Sequence, residues 1–236
     1  MYSIKPLKSE RNKIKRTKEQ EAFIMPNMGT LNVVGRTGSG KTTIICNLLK
    51  NSNMLKNVFD IIYVFTMTPA TDLLEHVPYL KEENVFNDDP NKLQELIDKS
   101  KNMMKNIPFE DVPNVLFILD DIVQSTKMMN SKAMKDIYYG STHYKCNLWM
   151  LSQNYKSIPK KLRCNTHGII LCHGITNGEK EAFCEEWQSA YMDKKRFLNL
   201  VDYALQDPYS FIFVNATHTN KKEAYRKGFN EILIIE

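Results

Sequence analysis

Short apolar runs and longer amphipathic stretches alternate along this chain. Leu31-Asn32-Val33-Val34 is apolar and β-branched and runs straight into a glycine-rich segment. Residues 42–49 then carry Ile44, Ile45, Leu48 and Leu49 at helical spacing, which predicts a strand–loop–helix unit. Asp60 to Phe65 predicts a second strand, ended by the Thr68-Pro69 turn signal. A helix is expected from Asn91 to about Lys105, with Leu93, Leu96 and Ile97 on its apolar face. Val115–Leu119 is continuously apolar before two aspartates. A helix over 131–139, strands over 148–151 and 168–172, and an amphipathic helix over 179–191 follow. Ser210–Val214 and Glu231–Ile235 predict a closing strand pair around a lysine-rich turn. Strands apolar at every position are buried on both faces, so the pattern predicts an α/β domain with a mainly parallel sheet covered by helices on both sides.

Composition narrows this picture. With 42% hydrophobic and 25% charged residues in 236, the chain can bury a sizeable core, and one domain is the default at this length. No run of 18 apolar residues is present, so no membrane span is expected. Cys46, Cys146, Cys164, Cys172 and Cys184 are odd in number and lack CxxC spacing, which fits free thiols in a reducing compartment better than a disulfide framework or a zinc site. The net charge of +5 is unevenly placed. Residues 1–20 hold seven basic and two acidic side chains, so the whole excess sits in that segment. A basic arm over 1–20 and a globular domain over 21–236 are the expected division.

Gly35-Arg36-Thr37-Gly38-Ser39-Gly40-Lys41-Thr42, followed by Thr43, fits G-x-x-x-x-G-K-[ST] and has the required strand before it and helix after it. Glycines let successive backbone N–H groups face phosphate oxygens, and the helix N-terminus adds a favourable dipole. Lys41 is expected to reach the β- and γ-phosphates of ATP, and the Thr42 hydroxyl to hold Mg²⁺. The strand ending in Asp120-Asp121 places carboxylates at the sheet edge where ligands bind. Asp120 is expected on the metal side, and Asp121 next to the attacking water. Leu148–Leu151 leads to Gln153, whose amide both donates and accepts and can orient a water. Arg163 lies in a basic run with Lys156, Lys160 and Lys161. Solvation, contact with DNA phosphates, and an arginine finger reaching a neighbouring subunit are all open for it. Arginine is scarce, 6 against 26 lysines, and its use here favours the finger. The groups Lys194-Lys195-Arg196 and Lys221–Lys227 read as solvated faces.

No NKxD base reader or LSGGQ-type signature is present, and a strand ending in Gln153 points to the group of P-loop enzymes with an additional strand. Together, GRTGSGKTT, LFILDD and GSTHYKCNLWMLSQNYKSIPKKLRCN resemble the FtsK/HerA superfamily, and within it the genome-packaging ATPases of large DNA viruses and virophages (the poxvirus-type packaging ATPase). The resemblance covers residues 30–173 and the closing strands. It implies a RecA-like ATPase working as a homo-oligomeric ring, expected to be a hexamer, that pulls double-stranded DNA into a capsid. It assigns Gly35 to Thr42 to ATP, Asp120 to magnesium, Asp121 to the base, Gln153 to the sensor and Arg163 to the finger. Glu is frequent in that superfamily where Asp121 stands here, and the shorter acid needs its water closer or relayed. A capsid portal or vertex protein is the implied partner, and the virion or the cytoplasmic assembly site the implied location. The alternatives are an FtsK/HerA-type motor for DNA transfer or segregation, and a nucleotide-binding switch that does not turn over.

Overall fold

The computed structural model describes residues 16–18, 20, 29–77, 79–188, 192–218, 220 and 223–233. Most of the basic arm therefore lies outside the described residues. Its end is seen: Gln20 is buried, and its Nε2 donates to the Lys56 carbonyl at 2.9 Å.

In chain order the elements are β1 (Thr30–Val34), α1 (Lys41–Lys50), β2 (Ile61–Thr66), α2 (Thr71–His76), β3 (Val85–Phe86), α3 (Pro90–Asn106), β4 (Val115–Asp120), α4 (Thr126–Met129), α5 (Lys132–Gly140), β5 (Cys146–Ser152), α6 (Lys160–Arg163), β6 (Gly168–Cys172), α7 (Asn177–Trp187), α8 (Lys194–Ala204), β7 (Phe211–Asn215), β8 (Tyr225–Lys227) and β9 (Glu231–Ile232). The strands form one sheet in the order β3-β2-β4-β5-β1-β6-β7-β8-β9. From β3 to β6 all pairings are parallel, and β7, β8 and β9 extend the sheet antiparallel. This is the expected architecture.

Each central strand divides its side chains between two cores, because successive residues point to opposite faces. In β4, Val115, Phe117 and Leu119 join one core with Leu93 and Ile97 of α3, Ile137 of α5, Phe183 of α7 and Phe197 and Val201 of α8. Leu116 and Ile118 join the other, with Ile45, Leu48 and Leu49 of α1 and Leu73 of α2.

One expectation needs correction. The closing strands at 211–215 and 231–232 do not pair with each other. The partner of β7 is β8, inside the segment read as a solvated lysine-rich turn, and β9 pairs with β8. Ala224 and Tyr225 are buried there, too few apolar positions to reveal a strand by alternation. Lys194-Lys195-Arg196 is solvent-exposed, as expected, and forms the first turn of α8. Asp193 caps that helix by accepting from the Lys195 and Arg196 amides at 2.9 and 3.0 Å, and Phe197, Val201 and Ala204 bury its inner side.

A nucleoside triphosphate site at the ends of three strands

The segment joining β1 to α1 turns back on itself through two glycines with positive φ, Gly38 at 79° and Gly40 at 91°. A side chain at either would cost backbone strain. Gly35 is required for a different reason. A Cβ there would lie 2.3 Å from Ser39 Oγ and 2.6 Å from Cys172 Cβ, inside the packing behind the loop. Gly40 caps α1 without a side-chain hydrogen bond, so the first amides of the helix are left to an external acceptor. No acidic residue occupies the first turn to compete for them, and the dipole favours an anion.

Lys41 is buried, and its Nζ donates to the Gly35 and Arg36 carbonyls at 2.7 and 3.3 Å. The loop carbonyls thus hold the ammonium at the cavity wall.

Parallel register brings the other groups to the same edge. Val34 of β1 is level with Ser152 of β5, and Leu151 of β5 is level with Asp120 of β4. The next residues, Gly35, Gln153 and Asp121, leave the sheet side by side. Gln153 Nε2 donates to Asp121 Oδ2 at 2.8 Å. Asp121 is left-handed, φ 53°, which turns its carboxylate off the strand direction. Its other oxygen, Oδ1, is buried without a partner.

Asp120 is the most perturbed of these acids. Burial, and then the Asp121 charge, raise its pKa from 3.8 to about 6, while Lys41 pulls the other way. A carboxylate kept short of solvent and placed against a second acid is poised to take a cation.

One cavity of about 670 Å³ joins these groups, lined by Thr37, Gly38, Gly40 to Thr43, Asp120, Asp121 and Gln153, with Thr68–Leu73 and Tyr209 closing it. That volume suits a nucleotide. The open space beside Gly38, where a Cβ would meet nothing within 4 Å, and the orphan Asp121 oxygen match a triphosphate with its cation. Thr42 and Asp120, the pair expected to hold Mg²⁺, both line this cavity and could hold a cation there. Of the expected nucleotide residues, Gly35, Arg36 and Ser39 lie outside the cavity lining, and Gly35 and Ser39 are buried behind the loop. Asp72 and Tyr209 line it with no sequence expectation behind them. Asp207-Pro208 is a turn-forming pair in the sequence and is the local pattern that could have drawn notice to the segment of Tyr209.

Arg163 is not in the cavity. It is 8% exposed, and its guanidinium is engaged within its own chain. Nε and Nη2 donate to the two Glu186 oxygens at 2.7 Å each, and Nη1 donates to the Ile158 carbonyl. The group also lies 4.8 Å from the centre of the Tyr155 ring. Tyr155 donates its hydroxyl to Glu186 at 2.6 Å and accepts from Trp187 Nε1 at 2.9 Å. Burial pushes the Glu186 carboxyl up, but the Arg163 and Tyr155 hydrogen bonds outweigh it and hold the group below its ordinary value. A reach toward a neighbouring subunit requires this buried pair to open.

Fold and site together define a P-loop nucleoside triphosphatase of the RecA-like type, with the additional strand β5 between β1 and β4. The sequence model of one family, described as Poxvirus A32 protein, matches residues 18–225. The chain belongs to that family. No curated protein sequence matches it. Among solved structures it is similar to the genome packaging NTPase B204 from Sulfolobus turreted icosahedral virus 2 in complex with AMP, at 15% identity over 87% of this chain and 98% of that one, TM-score 0.55. The complex of B204 with ATP-gammaS gives 14% identity over the same shares, TM-score 0.55. EssC (ATPases 2 and 3) from Geobacillus thermodenitrificans is similar at 17% identity over 80% of this chain and 38% of that one, TM-score 0.56. At these identities the likeness concerns the fold.

Two outcomes follow from this geometry. In nucleotide-free protein with EDTA, the raised Asp120 pKa makes the native state bind a proton that the unfolded chain releases, so its stabilisation is full below pH 4 and lost as pH rises through about 6. Asp120→Asn is therefore expected to exceed wild type by about 3 kcal/mol at pH 8. Urea denaturation should show the gap shrinking toward pH 4, and a pH-independent gap would contradict this account. Separately, Arg163→Ala leaves Glu186 buried and unpaired and should cost about 3 kcal/mol in the same assay, most of it recovered when Arg163→Met is combined with Glu186→Leu.

Proposed function

We propose that this protein is an ATP-driven motor that moves double-stranded DNA into a viral capsid, working as a homo-oligomeric ring at the site of virion assembly. The observation that carries the reading is the Gln153–Asp121 hydrogen bond at the metal end of a P-loop cavity, in a chain belonging to a poxvirus family. Hydrolysis needs an acid that orients water and a group that senses the γ-phosphate, and here the two are in direct contact. B204, whose fold this chain shares, is described as the DNA-packaging ATPase of its virus, which supports the same role here. No helix among the described residues is long and apolar enough to cross a membrane.

In this reading the bound triphosphate draws Lys41 off the Gly35 and Arg36 carbonyls onto its β- and γ-oxygens. The unpaired Asp121 oxygen accepts a hydrogen bond from the attacking water and orients it in line. Gln153, held by the other oxygen, registers whether the γ-phosphate is present. Thr42 and Asp120 would hold Mg²⁺, which would supply positive charge against the phosphates. Loss of the γ-phosphate changes what Gln153 bonds, and two residues on, Tyr155 passes that change to Glu186 and Arg163. The basic arm, a capsid portal or vertex protein, and the ring itself are the expected contacts for DNA and shell. Arg163 serves in this reading as the anchor of the segment behind the sensor, and as a finger in a neighbour only if the Glu186 pair opens.

DNA-stimulated ATP hydrolysis tests the motor. Lys41→Ala is expected to lower turnover by at least about 100-fold, and wild-type protein to displace a triplex-forming strand from linear duplex DNA while ATP lasts. Wild type without DNA stimulation, or unchanged turnover in Lys41→Ala, contradicts the reading. Mixing Arg163→Ala with Lys41→Ala subunits decides the finger: recovery of activity requires a residue acting across the interface, and no recovery leaves Arg163 as an anchor.

A further inference from the structure

We infer that Tyr209 is the base platform of this cavity, stacking its ring on the nucleobase of the bound nucleotide. The inference rests on the reading of the cavity as a nucleotide site. Tyr209 lines that cavity, and a Cβ built on Gly40 would lie 3.6 Å from Tyr209 Cδ1, so the ring edge stands beside the N-terminus of α1. Lys41, Asp120, Asp121 and Gln153 mark where the terminal phosphates and cation go. Tyr209 comes from a different part of the chain, the turn before β7, and is the one aromatic residue among those lining the cavity.

Two features separate Tyr209 from a tyrosine that happens to be on the surface. It is 71% exposed, so its ring face is available to a ligand. Its backbone is also left-handed, φ 63°, a conformation that is an outlier for a bulky side chain. Such strain persists only where neighbours fix it, and it gathers at ligand clamps. The fixing contacts are present. The Ser210 amide and hydroxyl donate to the Asp207 carbonyl at 3.1 and 2.6 Å. The His173 amide donates to the Ser210 carbonyl at 2.8 Å. Lys227 Nζ reaches Asp207 Oδ2 at 2.9 Å. The turn is thus tied to the residue after β6 and to β8, which fixes the backbone that carries the ring. A ring that offers only its π-face accepts any base, so the platform adds affinity without choosing among ATP, GTP and the other triphosphates.

Calorimetry of the full chain with Mg²⁺, titrating ATP and inorganic tripolyphosphate, tests this. Wild type should bind ATP more tightly than tripolyphosphate. Tyr209→Ala should weaken ATP about 5- to 150-fold, the range that loss of one base–aromatic stack gives, and leave tripolyphosphate unchanged. Tyr209→Gly should do the same, and since glycine suits the left-handed backbone, that result excludes strain as the cause. Tyr209→Phe and Tyr209→Trp should bind ATP as wild type does. Unchanged ATP affinity in the alanine and glycine variants overturns the platform, as does equal loss of ATP and tripolyphosphate, or loss in Tyr209→Phe. If Lys41→Ala binds both ligands as wild type does, the nucleotide site itself is elsewhere, and the platform falls with it.

Discussion

Parallel pairing of β4, β5 and β1 in a single register is the constraint from which the site follows. Hydrogen bonds between these strands fix Asp120 level with Leu151 and Ser152 level with Val34. The residues that leave the sheet next have no freedom to part. The same pairing buries the strands on both faces, so the acid at the end of β4 sits against low-dielectric packing. That is why Asp120 is pushed toward neutral pH while Asp121, one residue on, finds a hydrogen-bond donor. A slip of one residue between β4 and β5 would exchange inward and outward side chains on both cores and part Gln153 from Asp121. Site and core are therefore protected by the same interaction.

Beyond Gln153 the chain is held as firmly. Tyr155 is fully buried, and its amide donates to Glu179 Oε1 at 2.8 Å. Its hydroxyl belongs to the Glu186, Trp187 and Arg163 cluster. Glu179 and Glu186 both stand on α7, so one helix clamps the segment that runs on from Gln153. Of the five free cysteines, four are buried, and the exposed one, Cys164, follows Arg163.

Most of the fold was legible because its central strands are buried on both sides and so read as largely apolar runs rather than as an alternation. Gly168–Cys172 has the bounds that pattern gives, and Asn91–Lys105 differs from α3 by one residue at each end. What escaped was stabilised from outside its own segment. β8 contributes few apolar side chains and exists because β7 offers it an edge. α8 begins with three basic residues that mask the Phe197, Val201 and Ala204 face. β3, two residues long, pairs with β2 and carries no signal of its own.

The sequence by itself determined the chemistry: a glycine-rich loop between strand and helix, two aspartates and a glutamine at strand ends, each a local pattern with a local cause. It also settled the sheet's parallel, doubly covered character, because solvent exclusion writes itself into composition. Tertiary structure alone decided which groups meet. It joined Gln153 to Asp121 across two strands, brought Tyr209 from the far end of the chain to the P-loop, and gave Arg163 a buried carboxylate partner 23 residues away. Such contacts depend on the geometry of distant elements, and no spacing along the chain records them.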